Sequence, residues 1–554
     1  MFMRPAIRAT AKSCYGNGGT RFEFGNFQPL DNPPRRFAPA AWVAASPGRA
    51  LIVFLSIHAA IWTLLPALLY RNLPLDVIEA LVYGREWQLG YDKLPPLPWW
   101  LAEIADRVAG HDVAIYALSQ IGVITALAVV FLMARPLVGP LGALVAVLIL
   151  EGLHYLNYTS PQFNHNVVQL PFWALAGFAL HRGLRDRKTA DWVLLGLAVG
   201  LALWAKYFVV VLAAPMVVFV LVDREARQCL KTPGPYIAVA VALVVTAPHL
   251  VWLVKNDFLP LGYVEQHSAA SRGWYDHLWH PLQFAISQFL FTIPALLIAA
   301  WLFYPPRRTD EAPAPFAADA FDRRIVTWLA FGPLATVMAI AAVSGRGTIP
   351  NWGYPLYLFL GLWLVLMAGR PIAPVRLARI LATLAVVFGC FGLVSILDYA
   401  VLPHFDHRHR AVLYPGDALG REIDRRFTAV TGQRLAYVIG GIWEGGNISH
   451  YAPSHPRLLI DGKPARAPWI DLEDLRARGA VVVWMGGDTT AIPIQYRNIA
   501  VDAAVQPPFT LAYARGAGTV TIGWAILLPR PAYASVLRPL PAMRGEGKAA
   551  TPPP

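Results

Sequence analysis

The segment NLPLDVIEALVYGREWQLGYDKLPPLPWWL, residues 72 to 101, follows the first long apolar run of the chain. It places six charged side chains among tryptophans, tyrosines and prolines: Asp76, Glu79, Arg85, Glu86, Asp92 and Lys93. The run before it, near residues 49 to 70, is long enough to cross a bilayer, because a spanning helix needs about 20 mostly apolar residues. We therefore expect the charged segment to lie in a loop at a membrane surface.

The composition indicates a membrane protein. Of 554 residues, 56% are hydrophobic and only 15% are charged, whereas about 25% of residues are charged in soluble proteins. The net charge of +13 falls mainly in short segments between apolar runs, where basic residues orient a chain in a bilayer, so nucleic acid is not an expected partner. Cys14, Cys229 and Cys390 fit neither a disulfide framework nor a metal-ligand spacing.

Apolar runs predict about eleven transmembrane helices. They lie near residues 49–70, 112–134, 136–153, 166–182, 190–204, 207–222, 236–254, 282–303, 324–343, 354–369 and 375–397. Some of the intervening loops are basic, and the positive-inside rule places these in the cytoplasm: 181–188, 223–231, 305–308 with Arg323 and Arg324, and 369–379. The remaining loops then lie on the opposite, outer side: 71–111, 155–166, 205–207, 255–280 and 344–353, with everything after about 398.

The chain divides into four predicted regions. Residues 1–48 lack the apolar core of a signal peptide and are expected to form a disordered cytoplasmic leader. Residues 49–397 form the transmembrane domain. Residues 398–535 contain the β-like runs RLAYVI, PRLLI, GAVVVWM and TVTIGWAIL, and a helix capped by Asp471, so we predict a small soluble α/β domain. The Pro-rich end, 536–554, is expected to be a disordered tail.

Asp76 and Glu79 are three residues apart, so on a helix that begins near Leu75 they lie on one face. A carboxylate at the membrane surface is suited to act as a general base, because partial desolvation raises its pKa. The same spacing fits a helix N-terminus with Asp76 as the cap and Glu79 closing a capping box. The spacing leaves both interpretations open.

Lys93 lies in YDKLPPLPWW, residues 91 to 100. Pro95, Pro96 and Pro98 fix φ and forbid a regular helix, so we expect a stiff extended segment that presents Lys93 at the interface. An ammonium there can hold a phosphate as a point charge, although snorkelling also explains many lysines beside membranes. Lys206, between two short apolar runs, has the same two interpretations, because an ionisable residue at membrane depth is costly.

Several motifs follow one another in a characteristic order: DVIE after the first span, YDKLPPL, TSPQFNHN (159–166), GLALWAKY (200–207) and PHLVWLVKNDF (248–258). Together they resemble the lipid-linked-sugar glycosyltransferases of the GT-C superfamily, in the branch of protein mannosyltransferases and lipid A aminoarabinose transferases called family 39. The resemblance covers roughly residues 49 to 370. It implies a polytopic α-helical GT-C fold whose transmembrane domain is catalytic.

The resemblance also implies a reaction. A sugar would move, with inversion, from a polyprenyl-phosphate donor to a hydroxyl of lipid A, lipopolysaccharide, a glycolipid or a protein, on the periplasmic side of a bacterial inner membrane. By position, Asp76 is the catalytic carboxylate and Glu79 an assisting acid. Departure of polyprenyl phosphate develops negative charge that cations stabilise. We assign donor-phosphate binding to Lys93, Lys206, Arg272 and Arg346.

Further candidates for substrate binding come from the outer segments: Tyr91, His165, His267, Asn351 and Trp352. His165, between two asparagines at a helix start, also fits a hydrogen-bonded surface residue. Many relatives have a histidine where this chain has Leu94, so phosphate binding would depend more on Lys93. The acids are spread over DVIE rather than adjacent, which leaves open whether Asp76 or Glu79 is the base.

The sequence predicts no set of metal ligands. In HFDHRHR, residues 404–410, histidines alternate with arginines that repel a cation. Members of the superfamily differ in metal dependence, so the resemblance leaves a divalent metal cofactor open.

The main alternative function is a polytopic transporter or lipid flippase, which predicts ionisable residues buried midway along several spans. A scaffold without chemistry is a third class. Here the charges gather in outer loops, with Glu151 near a helix end as an exception.

Overall fold

The structure, a computed structural model, describes residues 38–260, 262, 270–304 and 316–530. The membrane part contains thirteen helices among these residues: α1 (Ala38–Ala45), α2 (Pro47–Leu69), α3 (Leu75–Gly84), α4 (Leu97–Ala109), α5 (Val113–Leu150), α6 (His165–Asp186), α7 (Thr189–Ala205), α8 (Val210–Val222), α9 (Gly234–Lys255), α10 (Asp276–Phe303), α11 (Ala320–Ser344), α12 (Leu360–Ala368) and α13 (Pro374–Ile396). Short 3₁₀ turns at 154–156, 207–209, 226–231 and 350–353 connect several of them.

Six of the described helices are long and apolar enough to cross a membrane: α2, α5, α9, α10, α11 and the segment Pro374–Val401 that contains α13. The sequence predicts about eleven spans. The runs at 190–204 and 207–222 form the short helices α7 and α8, of 17 and 13 residues. Only nine residues of the run at 354–369 are helical, as α12. The eleven-span count therefore stays a prediction, while a multi-pass membrane protein is established.

Two of the predicted spans, 112–134 and 136–153, are joined in α5. Gly139 interrupts this helix with φ 73° and ψ 167°, a conformation that favours glycine.

A glycine also permits close packing between α7 and α9. A Cβ at Gly196 of α7 would lie 2.7 Å from the Cβ of Val241 in α9, so the absence of a side chain lets these two helices approach.

Part of the predicted leader is helical. Residues 1–37 lie outside the described residues, but α1 occupies Ala38–Ala45 and α2 begins at Pro47. The apolar composition of APAAWVAA and the proline in the first turn of α2 favour this continuation of the helical region. The prediction of a disordered leader up to residue 48 is therefore wrong for its last eleven residues. The predicted tail at 536–554 lies outside the described residues.

The helix bundle has two chemically different ends. At the basic end, Arg324 Nε donates to Asp223 Oδ2 at 2.7 Å, and Arg185 Nη2 donates to Asp322 Oδ2 at 2.9 Å. The basic loops thus meet at one end, as the loop pattern predicts. The loops that the sequence assigns to the outer side meet at the other end, where Tyr155 donates to the carbonyl of Pro350 at 2.7 Å.

The C-terminal region forms a sheet domain, defined as residues 411–530. Its helices are α15 (Gly416–Thr431), α16 (Glu444–Tyr451), α17 (Leu472–Arg478) and α18 (Ile494–Arg497), after the short α14 (Pro403–Asp406). Its strands are β1 (Tyr437–Gly440), β2 (Arg457–Ile460), β3 (Ala480–Met485), β4 (Ala504–Ala512) and β5 (Thr519–Leu527). The sheet order is β2-β1-β3-β5-β4, with β1 parallel to β2 and β3, and β5 antiparallel to β3 and β4.

The four β-like runs of the sequence correspond to β1, β2, β3 and β5. Asp471 caps α17 as expected, since its side chain accepts from the backbone of Glu473 at 2.8 Å. Sequence patterning missed β4, which contains Pro507 and Pro508. It is an edge strand whose pairing with β5 is interrupted between Gln506 and Phe509, which is where prolines are tolerated in sheets.

Candidate active site

The first pair of candidate residues lies where α3 meets the proline-rich segment. Helix α3 begins at Leu75, as predicted. Glu79 is buried with 7% of its surface exposed, and Lys93 Nζ donates to Glu79 Oε1 at 2.6 Å. Burial raises the pKa of Glu79, while the Lys93 ammonium acts in the opposite direction. The pairing fixes Lys93 next to the helix that carries Asp76.

Asp76 does not cap α3. The helix has Pro74 at its N-cap and no side-chain cap hydrogen bond, so the capping-box interpretation is wrong. The carbonyl of Pro74 accepts hydrogen bonds from the backbone N–H groups of Val77 and Ile78, at 3.0 and 3.1 Å. Asp76 is exposed instead, and its Oδ2 accepts a hydrogen bond from Asn164 Nδ2 at 2.9 Å. Its carboxylate is therefore available to a ligand at the surface of the bundle.

Asn164 is a functional candidate that the sequence analysis missed. Its Oδ1 caps α6 by accepting from the backbone N–H groups of Asn166 and Val167, at 2.9 and 3.3 Å. Because those two donors require the oxygen, the amide nitrogen must point the other way, toward Asp76. The FNHN motif contained the signal, since an asparagine before a helix is a common cap.

Lys206 lies in the turn between α7 and α8, at the same end of the bundle. Its Nζ donates to Asn166 Oδ1 at 2.6 Å and lies 5.2 Å from the centre of the Phe208 ring. Burial lowers the pKa of Lys206 to about 8, opposed by the nearby Asp76 carboxylate. We call Asp76, Glu79, Lys93 and Lys206 the charged cluster.

His165 links the proline segment to α6 without contacting the charged cluster through a hydrogen bond. Its buried ring donates from Nε2 to the carbonyl of Pro95 at 3.1 Å, and its edge packs on Trp99.

The proline-rich segment after Lys93 is less extended than expected, because α4 begins at Leu97 with Pro98 in its first turn. Proline is compatible with that position, since the first N–H groups of a helix lack intrahelical partners.

The lining of a mainly apolar cavity of about 160 Å³ includes Phe208, Arg346 and Trp352. The rings of Phe208 and Trp352 pack at a centroid distance of 5.8 Å. Phe208 therefore connects the cavity to the Lys206 ammonium. Asn351 is in the same loop and is exposed. Two of the predicted loop residues, Arg346 and Trp352, thus line the cavity that Phe208 connects to Lys206.

The remaining predicted residues lie elsewhere or cannot be placed. Arg272 is exposed, and its backbone N–H donates to Asp276 Oδ2 at 2.7 Å. Tyr91 is buried and donates from its hydroxyl to the carbonyl of Tyr83 at 2.7 Å, which gives its ring a packing role. His267 lies outside the described residues.

Within the described part of the chain, no group of three or more His, Cys, Asp or Glu side chains could hold a metal ion. His407 and His409, in the HFDHRHR run, contact the carbonyl of Gly516 and the Tyr513 ring respectively. Cys229 and Cys390 are free thiols, the first buried and the second exposed, and Cys14 is not among the described residues.

The other charges of the first loop hold the sheet domain. Arg85 Nη1 donates to Ser449 Oγ at 3.0 Å, and Arg457 Nε donates to Glu86 Oε1 at 3.1 Å. Asp92 Oδ2 accepts from Arg466 Nε at 2.7 Å. The charged segment therefore serves two purposes: Asp76, Glu79 and Lys93 belong to the charged cluster, while Arg85, Glu86 and Asp92 hold the sheet domain.

The helix bundle, the first loop and the docked sheet domain together form a multi-pass membrane protein. Residues 93–252 match the family described as dolichyl-phosphate-mannose-protein mannosyltransferase. The crystal structure of ArnT from Cupriavidus metallidurans bound to undecaprenyl phosphate superposes on 89% of this chain and 99% of its own, with 15% identity and a TM-score of 0.55. At that identity the likeness establishes the fold, and with the family match it confirms the resemblance drawn from the motifs.

Two relatives come from Rhizobium johnstonii. The lipid A galacturonosyltransferase RgtD is 26% identical over 311 residues, which are 52% of this chain and 60% of the relative. The lipopolysaccharide core galacturonosyltransferase RgtA is 23% identical over 445 residues, 76% of this chain and 83% of the relative. The match therefore covers less than two thirds of the length of RgtD and more than two thirds of the length of RgtA.

Proposed function

We propose that the protein is an inverting glycosyltransferase that moves a sugar from a polyprenyl-phosphate donor to an acceptor hydroxyl of the cell envelope. The observation that carries the proposal is the charged cluster: two carboxylates and two ammonium groups at one end of the bundle, next to an apolar cavity. The names of RgtD and RgtA favour lipid A or lipopolysaccharide as the acceptor class, with another glycolipid or a protein as alternatives.

In the proposed reaction, the acceptor oxygen attacks the anomeric carbon from the face opposite the phosphate. The bond between that carbon and the phosphate oxygen breaks, and polyprenyl phosphate leaves with one additional negative charge. The proton of the acceptor hydroxyl moves to a carboxylate. Positioned acid–base groups of this kind contribute about 10²–10⁴-fold to a rate.

The contacts favour Asp76 as the base. Its carboxylate is exposed, and Asn164 holds Oδ2, so Oδ1 can approach an acceptor. Glu79 is buried against Lys93 at 2.6 Å, which suits a residue that positions the ammonium. We assign proton removal to Asp76 and orientation of Lys93 to Glu79.

The same contacts favour Lys93 and Lys206 as the groups that stabilise the departing phosphate. A lipid phosphate needs cations for its headgroup and an apolar surface for its chain. Lys206 touches Phe208, whose ring lines the apolar cavity that also includes Arg346. Cations that are held in position in a water-excluded site stabilise the charge that develops in a transition state more strongly than the same cations do in water. Arg346 is a third candidate for the phosphate, and the exposed Arg272 is a weaker one.

The sidedness of the membrane follows from the charge of the loops. The basic loops meet at the end of the bundle opposite the charged cluster, and basic loops favour the cytoplasm. We therefore propose that the cluster and the sheet domain face the periplasm of a bacterial inner membrane.

The test is sugar transfer by the purified protein, with and without a chelator, from synthetic undecaprenyl-phosphate sugars to lipid A or lipopolysaccharide. We expect Asp76→Asn to lower kcat by about 10²–10⁴-fold, since the amide cannot accept the proton. Asp106→Asn, the same substitution on α4, is the matched control and should retain activity. Equal turnover of Asp76→Asn and the wild type would contradict the mechanism.

One observation favours the alternative of a transporter or flippase. His58 and Glu151, both fully buried among the spans, contact each other at 2.9 Å through Nδ1 and Oε2. Buried ionisable pairs of this kind are common along transport pathways. Movement of the donor lipid across vesicles without any sugar transfer would support that alternative and exclude the enzyme.

A further inference from the structure

A second cavity, of about 280 Å³, lies where the first loop meets the sheet domain. Its walls come from residues 88–92 of the first loop, residues 252–259 at the end of α9, and residues 465–469 of the sheet domain. Small-molecule sites usually occupy about 300–1,000 Å³, so the cavity is near the lower end of that range. The proposed donor contacts do not use it.

Aromatic rings form much of the wall. Tyr91 is fixed by the hydrogen bond from its hydroxyl to Tyr83, and its ring packs edge to face with Trp469 at 5.7 Å. Trp252 stacks on His249 with ring centroids 6.0 Å apart. Trp252 and Trp469 are both half-buried, so each indole keeps an exposed portion. Aromatic surfaces held in this way are preorganised to pack against a flat apolar face.

Two side-chain amides supply polar groups at the same cavity. Gln88 Nε2 donates to the carbonyl of Glu86 at 2.8 Å, and Asn256 Nδ2 donates to the carbonyl of Trp252 at 2.8 Å. A primary amide has two N–H donors and a carbonyl acceptor. Each amide is therefore oriented by one contact and has further donors and an acceptor for hydroxyl groups.

The described residues that line the cavity offer an anionic ligand no unpaired cation. Arg466, the cation among the lining residues, already donates to Asp92 at 2.7 Å, to Asp461, and to the Tyr83 hydroxyl at 3.2 Å. The guanidinium is thus engaged by two carboxylates, so it is not available as a counter-charge for an anionic ligand. An uncharged ligand needs no such counter-charge.

We propose that this cavity binds an uncharged pyranose unit of the acceptor glycan. Indole faces pack against the C–H face of a sugar ring, while the amides and the Asp92–Arg466 pair bind its hydroxyls. Lys93 directly follows Asp92, so a glycan held here lies close to the charged cluster. The walls belong to both domains, and the docked sheet domain is needed to complete the site. The assignment of the bound saccharide as the acceptor rests on the proposed function, whereas saccharide binding itself does not.

Saturation-transfer NMR on the full-length protein in nanodiscs tests the binding, with lactose, cellobiose and mannobiose as probes. Ala465 is exposed and lines the cavity, so Ala465→Trp fills the cavity and removes no aromatic contact. We expect that variant to abolish saturation of the probes and Trp469→Ala to weaken binding at least tenfold. Trp42→Ala, on α1, removes a distant indole and should bind as the wild type does. Digalacturonic acid should bind several-fold more weakly than lactose.

A wild-type protein that saturates none of the three disaccharides would overturn the proposal, as would equal saturation of the wild type and Ala465→Trp. In transfer assays, we expect Ala465→Trp to raise the KM for the acceptor while hydrolysis of the donor by water stays unchanged. Transfer unaffected by that substitution would overturn the acceptor assignment. If neither the wild type nor any variant transfers sugar, but disaccharide binding is lost in Ala465→Trp, the proposed function fails and the saccharide site stands.

Discussion

Asn164 connects helix formation to the candidate chemistry through the two ends of one amide. The oxygen caps α6 and the nitrogen donates to Asp76. Serine is about as good an N-cap as asparagine but has no amide nitrogen to reach Asp76. We expect Asn164→Ser to keep the melting temperature and to lower kcat by about 10- to 150-fold, because a hydrogen bond to a charged group contributes about 1.5–3 kcal/mol.

Asn164→Ala is the companion variant, measured by thermal unfolding and by sugar transfer. It removes the cap as well, so it should cost about 1 kcal/mol of stability in addition to the loss of activity. If Asn164→Ser is fully active, the contact with Asp76 has no part in turnover.

The ionisation of Lys206 predicts how activity depends on pH. Only the ammonium stabilises a phosphate, and burial lowers the pKa of this lysine to about 8. The charged form is therefore lost as the pH rises through about 8, and kcat/KM should fall there. Lys206→Arg, which stays protonated, should move this alkaline limit upward by more than one pH unit. An unchanged profile would show that Lys206 is not the titrating group.

The sequence identified the charged members of this site but not their partners. Asp76, Glu79, Lys93 and Lys206 stand out because charges are rare in so apolar a chain. The amides were missed because Asn164 acts on a residue 88 positions away, and such a contact exists only after folding. Polar residues of loops become specific through the tertiary structure around them.

At the scale of elements, two errors of prediction concern proline. The three prolines after Lys93 suggested a long extended segment, yet Pro98 lies in the first turn of α4. Two prolines hid β4, yet an edge strand tolerates them. Proline excludes a residue from the middle of a helix or sheet, but it does not distinguish a loop from the beginning of a helix or the edge of a sheet. Strands without proline were predicted from β-branched runs.

The ion pair between the first loop and β2 predicts a measurable coupling between elements. The side chain of Glu86 is 6% exposed, and that of Arg457 is 40% exposed. We expect a double-mutant cycle with Glu86→Gln and Arg457→Gln to give a coupling of about 1 kcal/mol in thermal unfolding, limited by the solvent around the arginine.

The control cycle uses Asp474 and Arg478, an i,i+4 pair with side chains 36% and 62% exposed. Its coupling should be about 0.3–0.5 kcal/mol, because both partners are exposed on one helix. A smaller coupling for Glu86 and Arg457 than for this control would mean that the ion pair does not hold the sheet domain in place.

At the scale of the whole molecule, composition and loop charge predicted the membrane class and the separation of the two ends. The number of spans was less predictable, because several apolar runs form helices that are too short to cross a bilayer alone. Hydropathy measures the apolar character of a run, but helix length depends on where the chain turns and packs. The sequence singled out Arg85, Glu86 and Asp92 but not their partners in the sheet domain, and the close contact of Gly446 with α3 gives no sequence pattern.

This contact supports the last prediction, which concerns the whole molecule. A Cβ at Gly446 of α16 would lie 2.7 Å from Cγ2 of Ile78 and 3.1 Å from Cγ2 of Val82, both on α3. Both are stiff β-branched side chains that cannot easily move aside. We expect Gly446→Ala to destabilise the protein by about 1–3 kcal/mol through overpacking.

Because Ile78 precedes Glu79, Gly446→Ala should also lower kcat/KM several-fold by displacing the pair with Lys93. Gly389→Ala is the control: a Cβ there meets nothing within 4 Å, and alanine favours a helix over glycine by about 1 kcal/mol. Thermal unfolding and sugar transfer measure both variants. Gly446→Ala with wild-type stability and turnover would mean that the sheet domain does not need close contact with α3 to support the site.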